Sequence, residues 1–193
     1  KRRTPKGNEP STLRLIAGQF RGRRLPIPSV EGLRPSGDRV RETVFNWLQN
    51  DVPDARCLDA FAGTGALGFE AASRYAASVT LLEPNSEAAA SLLSSQRLLE
   101  AASVTVINTR FEDFVANDPD PFDLVFLDPP FQTTDFNAVL DLMPQILGPD
   151  ALVYLECPKA LPDADVLISE SWETRRDKSM GEVRARLFRV AGK

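Results

Sequence analysis

Five short, nearly unbroken apolar runs alternate with helix-like stretches between residues 56 and 156, and no other feature constrains the fold of this chain so strongly. The runs cover residues 57–60, 79–83, 104–108, 124–128 and 152–156, and the stretches between them centre on 67–75, 86–101, 111–116 and 136–146. A strand apolar on both faces must be covered on both faces, and strands joined through helices run parallel. Further on, residues 166–173 and 183–190 flank a polar turn at Gly181, a spacing that predicts an antiparallel hairpin closing one sheet edge. The expected fold class is α/β and Rossmann-like: a mostly parallel seven-stranded sheet with helices on both faces and a C-terminal antiparallel hairpin.

Ahead of this pattern, Leu13, Leu15 and Ala17 alternate with polar neighbours, Gly18 and Gly22 permit turns, and Pro26 and Pro28 suit a sheet edge. A small N-terminal β-hairpin is expected there. Ser36 or Asp38 is positioned to cap a following helix, in which Val40, Val44, Trp47 and Leu48 share one face. The expected organisation is a disordered basic tail over 1–10, a hairpin appendage over 11–35 and a main domain over 36–193.

The chain has no histidine and two cysteines, Cys57 and Cys157, each inside or beside an apolar run. Imidazole bases and histidine metal ligands are excluded, two separated cysteines cannot build a structural zinc site, and no metal is expected. Both cysteines read as reduced core thiols. No apolar run approaches the roughly 20 residues of a membrane span, so a cytoplasmic protein without membrane partners is expected. Whatever chemistry occurs must use carboxylates, positioning and a bound cofactor.

Charge is unevenly spread. Residues 1–41 hold 11 Lys/Arg against 3 Asp/Glu, residues 42–172 hold 5 against 21, and residues 173–193 hold 7 against 3. Arg14, Arg21, Arg23, Arg24, Arg34, Arg39 and Arg41 continue through segments that read as folded. Guanidinium groups are planar, bidentate donors to phosphate, and this series is read as a nucleic-acid footprint.

The first apolar run leads into Asp59-Ala60-Phe61-Ala62-Gly63-Thr64-Gly65-Ala66-Leu67-Gly68 and then a helix. Gly63, Gly65 and Gly68 fit a G-x-G-x-x-G turn, and Glu83 follows about 20 residues beyond Gly63, where a carboxylate can accept from both ribose hydroxyls. Nicotinamide dinucleotide and S-adenosylmethionine both present such a ribose. A triphosphate loop is disfavoured because no Gly-Lys-Ser/Thr ending is present. Asp59 separates the remaining two, since a carboxylate favours a cationic sulfonium and ammonium over an anionic pyrophosphate. Asp59 could instead cap a neighbouring turn.

The fourth run ends in Asp128-Pro129-Pro130-Phe131. Ligands of open parallel sheets bind beyond the carboxyl ends of the strands, which brings Asp128 toward the glycine loop. Two prolines fix φ and remove two N–H donors, leaving a stiff rim of acceptors beside an aromatic ring. That rim complements an exocyclic amine on a flat base.

With these residues in view, the chain resembles the class I methyltransferases that act on exocyclic amines, and within them the bacterial small-subunit (16S) ribosomal RNA guanine-N2 methyltransferases. The resemblance is carried by Arg14-Leu15-Ile16-Ala17-Gly18-Gln19-Phe20-Arg21-Gly22-Arg23, by Leu33-Arg34-Pro35 with Asp38-Arg39-Val40-Arg41-Glu42, and by the Asp59, Glu83 and Asp128 blocks. It implies an S-adenosylmethionine cofactor held by Asp59, Phe61, Gly63, Thr64, Gly65 and Glu83, with 108–111, Phe111 included, bordering the adenine. It further implies catalysis by Asp128, Pro129 and Phe131, and RNA contacts from Arg14, Arg21, Arg23, Arg24, Arg34 and Arg39. The implied partner is ribosomal RNA, free or within a small-subunit assembly particle, met by a monomeric enzyme. The competing readings are an adenine or glutamine amine methyltransferase, a nicotinamide-dependent oxidoreductase, and an RNA-binding protein that keeps the fold without catalysis.

Overall fold

Alternate residues of the central strands enter two different apolar layers, and this alternation sets the architecture. Cys57, Leu124, Phe126, Leu152 and Tyr154 join one core; Leu58, Val125, Leu127, Val153 and Leu155 join the other. The structure is a computed structural model and describes residues 12–28, 30, 37–130, 135–159 and 172–190. In chain order the elements are β1 (Thr12–Arg14), β2 (Arg24–Pro26), α1 (Asp38–Trp47), β3 (Arg56–Asp59), α2 (Ala66–Ser73), β4 (Ser78–Leu82) and α3 (Ser86–Leu99). They continue with β5 (Val104–Ile107), α4 (Phe111–Val115), β6 (Phe122–Leu127), α5 (Phe136–Leu142), a 3-10 turn (Met143–Gln145), β7 (Leu147–Pro158), β8 (Trp172–Met180) and β9 (Val183–Val190).

The main sheet has seven strands in the order β5-β4-β3-β6-β7-β9-β8. From β5 to β7 neighbours are parallel, while β9 runs antiparallel to both β7 and β8. This is the expected class I methyltransferase fold, with its parallel body and antiparallel edge. The first core takes side chains from α1, α2, α3 and the β1–β2 hairpin, and the second from α4, α5 and the 3-10 turn. Both cysteines are free and buried, and burial pushes the Cys57 thiol up to about 12, so it stays protonated at neutral pH. Among the described residues no helix is long and apolar enough to cross a membrane.

Most of the strand anticipated at 166–173 lies outside the described residues; the edge strand is described from Trp172 to Met180, and its residues 173–179 are polar and exposed. As an edge strand it pairs only with β9, so it has no second face to bury, and charged side chains keep such an edge from pairing with another chain. Across this pair Arg184 donates to both oxygens of Asp177, at 2.9 and 2.6 Å, and holds that carboxyl below its usual range. The helical stretch expected at 136–146 is α5 followed by the 3-10 turn, which carries Pro144.

The N-terminal hairpin forms as expected, with Leu13 opposite Leu25 and Arg14 opposite Arg24. It is fastened to α2 by backbone groups. Gln19 N–H donates to the Ser73 carbonyl at 2.8 Å, and Phe20 N–H donates to the Ser73 hydroxyl at 3.0 Å. Gly18, at φ +79°, lies so close to Ser73 that a Cβ would fall 1.7 Å from its carbonyl oxygen. Above this contact Glu70, fully buried, accepts from Ile16 N–H at 2.8 Å, Ala17 N–H at 3.1 Å and Arg74 Nε at 2.8 Å.

Arg41 corrects the sequence reading. Grouped there with the basic footprint, it is fully buried on the α1 face that carries Val44, Phe45 and Leu48. Its Nη2 donates to Asp38 at 2.6 Å and to the Arg14 carbonyl at 2.9 Å, and its Nη1 lies 3.7 Å from Glu70. Asp38 is therefore the partner of Arg41 in the first turn of α1. The cap position belongs to Gly37, which has no side chain to cap with, and Ser36 lies outside the described residues.

Glu70→Ala would leave the Ile16 and Ala17 N–H groups and Arg74 Nε without their acceptor and remove the second carboxylate beside the buried Arg41. Breaking one side of a buried ion pair costs about 3–5 kcal/mol. Denaturant unfolding of Glu70→Ala should show a loss of that order, with amide exchange at Ile16 and Ala17 accelerated along with it.

Candidate active site

Each of the five parallel strands ends in a polar side chain at the carboxyl edge of the sheet: Asp59, Glu83, Asn108, Asp128 and, within the longer β7, Glu156. The apolar runs bring the strands into register, so their carboxyl ends gather these groups along one edge. Asp59 pairs with Phe126 and Phe126 with Tyr154, which puts Asp59, Phe126 and Tyr154 in one row on the same face. Two residues further along β6 and β7, Asp128 and Glu156 return to that face.

The loop between β3 and α2 turns through Gly63 at φ +53° and Gly65 at φ +76°, conformations that disfavour any side chain. Around Gly63 the nearest atom to an added Cβ is 3.9 Å away, so that part of the loop is open to an approaching ligand. Gly63 N–H donates to Glu83 Oε2 at 2.9 Å, and Asn85 N–H donates to Glu83 Oε1 at 2.8 Å. Glu83 thus joins the tip of β4 to the glycine loop. Asn85 caps α3 through Glu87 N–H and Ala88 N–H, both at 3.0 Å, and Asn108 ties β5 to β4 by donating to the Glu83 carbonyl at 2.7 Å.

Asp59 is buried and its Oδ2 accepts from Gly68 N–H at 2.9 Å, in the first turn of α2. The turn-capping alternative for Asp59 is thus present in the structure, and it coexists with the residue's place beneath the loop. Burial pushes the Asp59 carboxyl up to about 7, and the charges of Asp128 and Glu83 add to that effect against the N–H groups of Gly68 and Phe61. Burial also raises Glu83, with the Asn85 and Gly63 donors opposing it. Among the described residues no lysine or arginine pairs with Asp59 or Glu83.

Of the remaining residues singled out from sequence, Phe61 and Phe111 meet with ring centroids 5.8 Å apart, Phe111 buried and Phe61 half-buried. Thr64 is half-buried, as is Asp128, while Pro129 is buried and Pro130 exposed. Phe131 and Arg34 lie outside the described residues. Two residues that the sequence reading did not single out join the site: Tyr154, whose hydroxyl donates to Glu156 Oε2 at 2.9 Å, and Glu156 itself. The signal for Glu156 was present, because its apolar run ends in a carboxylate just as those of Asp59, Glu83 and Asp128 do.

Arg14, Arg21, Arg23, Arg24 and Arg39 are all exposed. The hairpin tip sits on the C-terminal end of α2, and α2 runs from the glycine loop back to the opposite sheet edge, so Arg21 and Arg23 stand far from Asp128. Arg23 also donates to the Leu98 carbonyl at 2.7 Å, near the C-terminus of α3, while Arg24 donates to Thr12 Oγ1 at 3.2 Å. Arg14 and Arg24 face each other across the β1–β2 pair, and Arg14 lies 4.0 Å from Asp38 at the start of α1.

The chain is similar to known proteins over nearly its whole length. The family model described as conserved hypothetical protein 95 matches residues 13–189. The chain is 42% identical over 180 residues to ribosomal RNA small subunit methyltransferase D of Escherichia coli (strain K12), covering 91% of this chain and 89% of that protein. The Haemophilus influenzae protein of the same name is 43% identical over 94% of this chain and 95% of its own length. The solved structure of the Escherichia coli protein yhhF matches with a TM-score of 0.85 and 38% identity, over 95% of this chain and 100% of that one.

The raised Asp59 carboxyl gives stability a definite pH dependence. An Asp at about 7 in the folded chain, against its ordinary 3.8, holds a proton that the unfolded chain has already lost, so stability falls as pH rises from about 4 to about 7. Asp59→Asn keeps an acceptor for Gly68 N–H and removes that titration. Its melting temperature should therefore gain more over the parent at pH 8 than at pH 5, and an equal gain at both would remove Asp59 as the source.

Proposed function

The chain belongs to the conserved hypothetical protein 95 family, and on that premise we propose that it methylates the exocyclic 2-amino group of a guanine in small-subunit ribosomal RNA, using S-adenosylmethionine. The observation that carries the reading is the row of carboxylates in which Asp128, at the end of β6, stands on the same face as Asp59 beneath the glycine loop. The names of the 42% and 43% identical relatives support ribosomal RNA as the substrate.

The residues present fit the cofactor. A sulfonium and an ammonium suit a loop floor of raised, unbalanced carboxylates, and the open side of Gly63 beside Glu83 suits a ribose diol. When bound, S-adenosylmethionine supplies an already activated methyl group. Asp59 would hold the positive charge through space, since its own oxygen is bonded to Gly68 N–H. Phe61, Thr64, Gly65 and Phe111 would complete the walls.

The protein's task is then geometric. The amine of a base is a poor nucleophile because its lone pair is delocalised into the ring. Asp128 and the Pro129 carbonyl would accept its two N–H groups and turn the lone pair outward, with Phe131 stacking on the ring. The surplus proton leaves through Asp128 or water. A base inside a stack cannot be reached, so the guanine must be unpaired or flipped out, at a cost of a few kcal/mol. Arg14, Arg24 and Arg39, with Arg21, Arg23 and Arg34, would offset that cost by holding flanking phosphates.

Labelled-methyl transfer to ribosomal RNA and to small-subunit particles, followed by nucleoside analysis, tests the reading directly. N2-methylguanosine is the expected product, and any other methylated nucleoside would overturn the base assignment. Asp128→Ala should fold and bind S-adenosylmethionine, yet lose transfer at saturating RNA, because Asp128 acts on the amine in the transition state.

Replacing Arg14, Arg24 and Arg39 together by alanine should weaken RNA binding and reduce the slope of log affinity against log salt by about 0.7–0.9 for each phosphate no longer neutralised. Cofactor binding should stay at the parent level. Preserved RNA affinity and salt slope would reassign these arginines to solubility.

A further inference from the structure

Four carboxylates of the described residues are buried, Asp59, Glu70, Glu83 and Glu156, and three have partners that account for their burial. Asp59 has Gly68 N–H; Glu83 has two N–H donors; Glu70, below them, has two N–H donors and two arginines. Glu156 is different. It is 6% exposed, no arginine or lysine among the described residues pairs with it, and its one hydrogen bond is from the Tyr154 hydroxyl to Oε2. Its other oxygen accepts from none of the described residues. Burial disfavours the charged form of this carboxyl, and packing alone gives no reason to keep it there.

Its position supplies a reason. Leu127 of β6 pairs with Leu155 of β7, so Asp128 and Glu156 are the next residues on two adjacent strands, about 4.8 Å apart in backbone spacing. Asp128 is near enough to raise the Glu156 carboxyl electrostatically. Two neighbouring carboxylates make an acceptor pair. On its Watson–Crick edge guanine carries two neighbouring donors, N1–H and the 2-amino group, whereas adenine and 2-aminopurine place an acceptor at N1.

We infer that Glu156 is the guanine-specificity residue of this site, accepting the N1–H of the base whose 2-amino group Asp128 holds, and that Tyr154 is the positioning residue that fixes Glu156 in place. The inference rests on the guanine reading proposed above and assigns a role to residues that reading does not use. A carboxylate facing the N1 lone pair of adenine or 2-aminopurine is repelled and left without a donor, so the same contact that welcomes guanine rejects them.

The ionisable groups bearing on Glu156 are Asp128 from β6 and Tyr154 from its own strand. Its partner across in β9 is Ala185, while Arg184 and Arg186 pair with Cys157 and Leu155 and so belong to the opposite face. Burial pushes the Glu156 carboxyl up to about 7, the Asp128 charge adds to this, and the Tyr154 hydroxyl opposes it. Only the anion accepts from N1–H without competition, so transfer to guanine should rise with pH through about 7.

The test replaces the target guanosine in the RNA substrate by 2-aminopurine riboside, which keeps the 2-amino group and lacks N1–H. The wild-type enzyme should methylate guanine at least tenfold faster than 2-aminopurine, the order expected for one hydrogen bond to a charged group being roughly 10–100-fold. Glu156→Ala should lose most of its rate on guanine and little on 2-aminopurine, so that the ratio collapses toward one. Should Glu156→Ala fail to fold, Glu156→Gln, which keeps the shape and a neutral acceptor, should lower the ratio and flatten the pH profile near 7. Tyr154→Phe should move that profile to higher pH, a change that a packing role would not produce. An unchanged base ratio in the folded Glu156 variants, or equal losses on both bases, would overturn the assignment. Failure of the wild-type enzyme to form N2-methylguanosine would instead overturn the reading on which it rests.

Discussion

The parallel register of β3, β6 and β7 is the constraint on which the rest of this molecule depends. With Asp59, Phe126 and Tyr154 in one row, the strand pleat carries Asp128 and Glu156 to the same face, two residues further toward the carboxyl edge. A slip of one residue in any of these strands would send its carboxylate to the opposite core. The apolar side chains that prevent the slip, Leu58, Val125 and Val153 on one side and Cys57, Leu124 and Leu152 on the other, are therefore as necessary to the site as the acids themselves.

Gathering acids at one edge is electrostatically unfavourable, and the fold supports it with backbone donors. Glu83 takes the N–H groups of Gly63 and Asn85, and Asp59 takes that of Gly68. These bonds oppose the effect of burial without cancelling it, which leaves both carboxyls raised. Residual negative charge of this kind is what a cationic ligand would neutralise. Glu70 shows the contrasting solution: with Arg41, Arg74 and two hairpin N–H groups around it, its charge is used up in fastening the N-terminal hairpin to α2.

How much of this was legible in the sequence follows from which physical signal each residue carries. The parallel strands were legible because burial on both faces makes them apolar throughout, and Asp59, Glu83 and Asp128 were legible as polar residues ending such runs. Glu156 carries the same signal, but its strand runs on through Cys157 to Pro158, so no turn directly after it marks it as a site residue. The extent of the edge strand Trp172–Met180 was not legible, because an exposed edge has no apolar periodicity to mark it. Arg41 was misread for the opposite reason. A guanidinium counts as surface by composition, and Asp38 three positions before it gives no sign that the Arg14 carbonyl will accept from it and that Glu70, 29 positions away in sequence, will lie beside it in the core.

The absence of histidine gives the raised carboxyls their significance. Histidine is the one side chain whose unperturbed pKa lies between pH 5 and 8, and without it a protein ordinarily has no side chain that titrates there. Here Asp59 and Glu156 both move up to about 7, by burial first and by the neighbouring Asp128 charge in each case. Asp128 is the group they share, so the three carboxyls are electrostatically linked and the protonation of one favours ionisation of the others. A cation placed over Asp59 would favour its anion and so raise the proton affinity of the others, whereas a hydrogen-bond donor placed at Glu156 would favour the anion there. On the proposed reading the two ends of the row would respond to different ligands through a common carboxylate, and the sheet register that aligns them would couple the two.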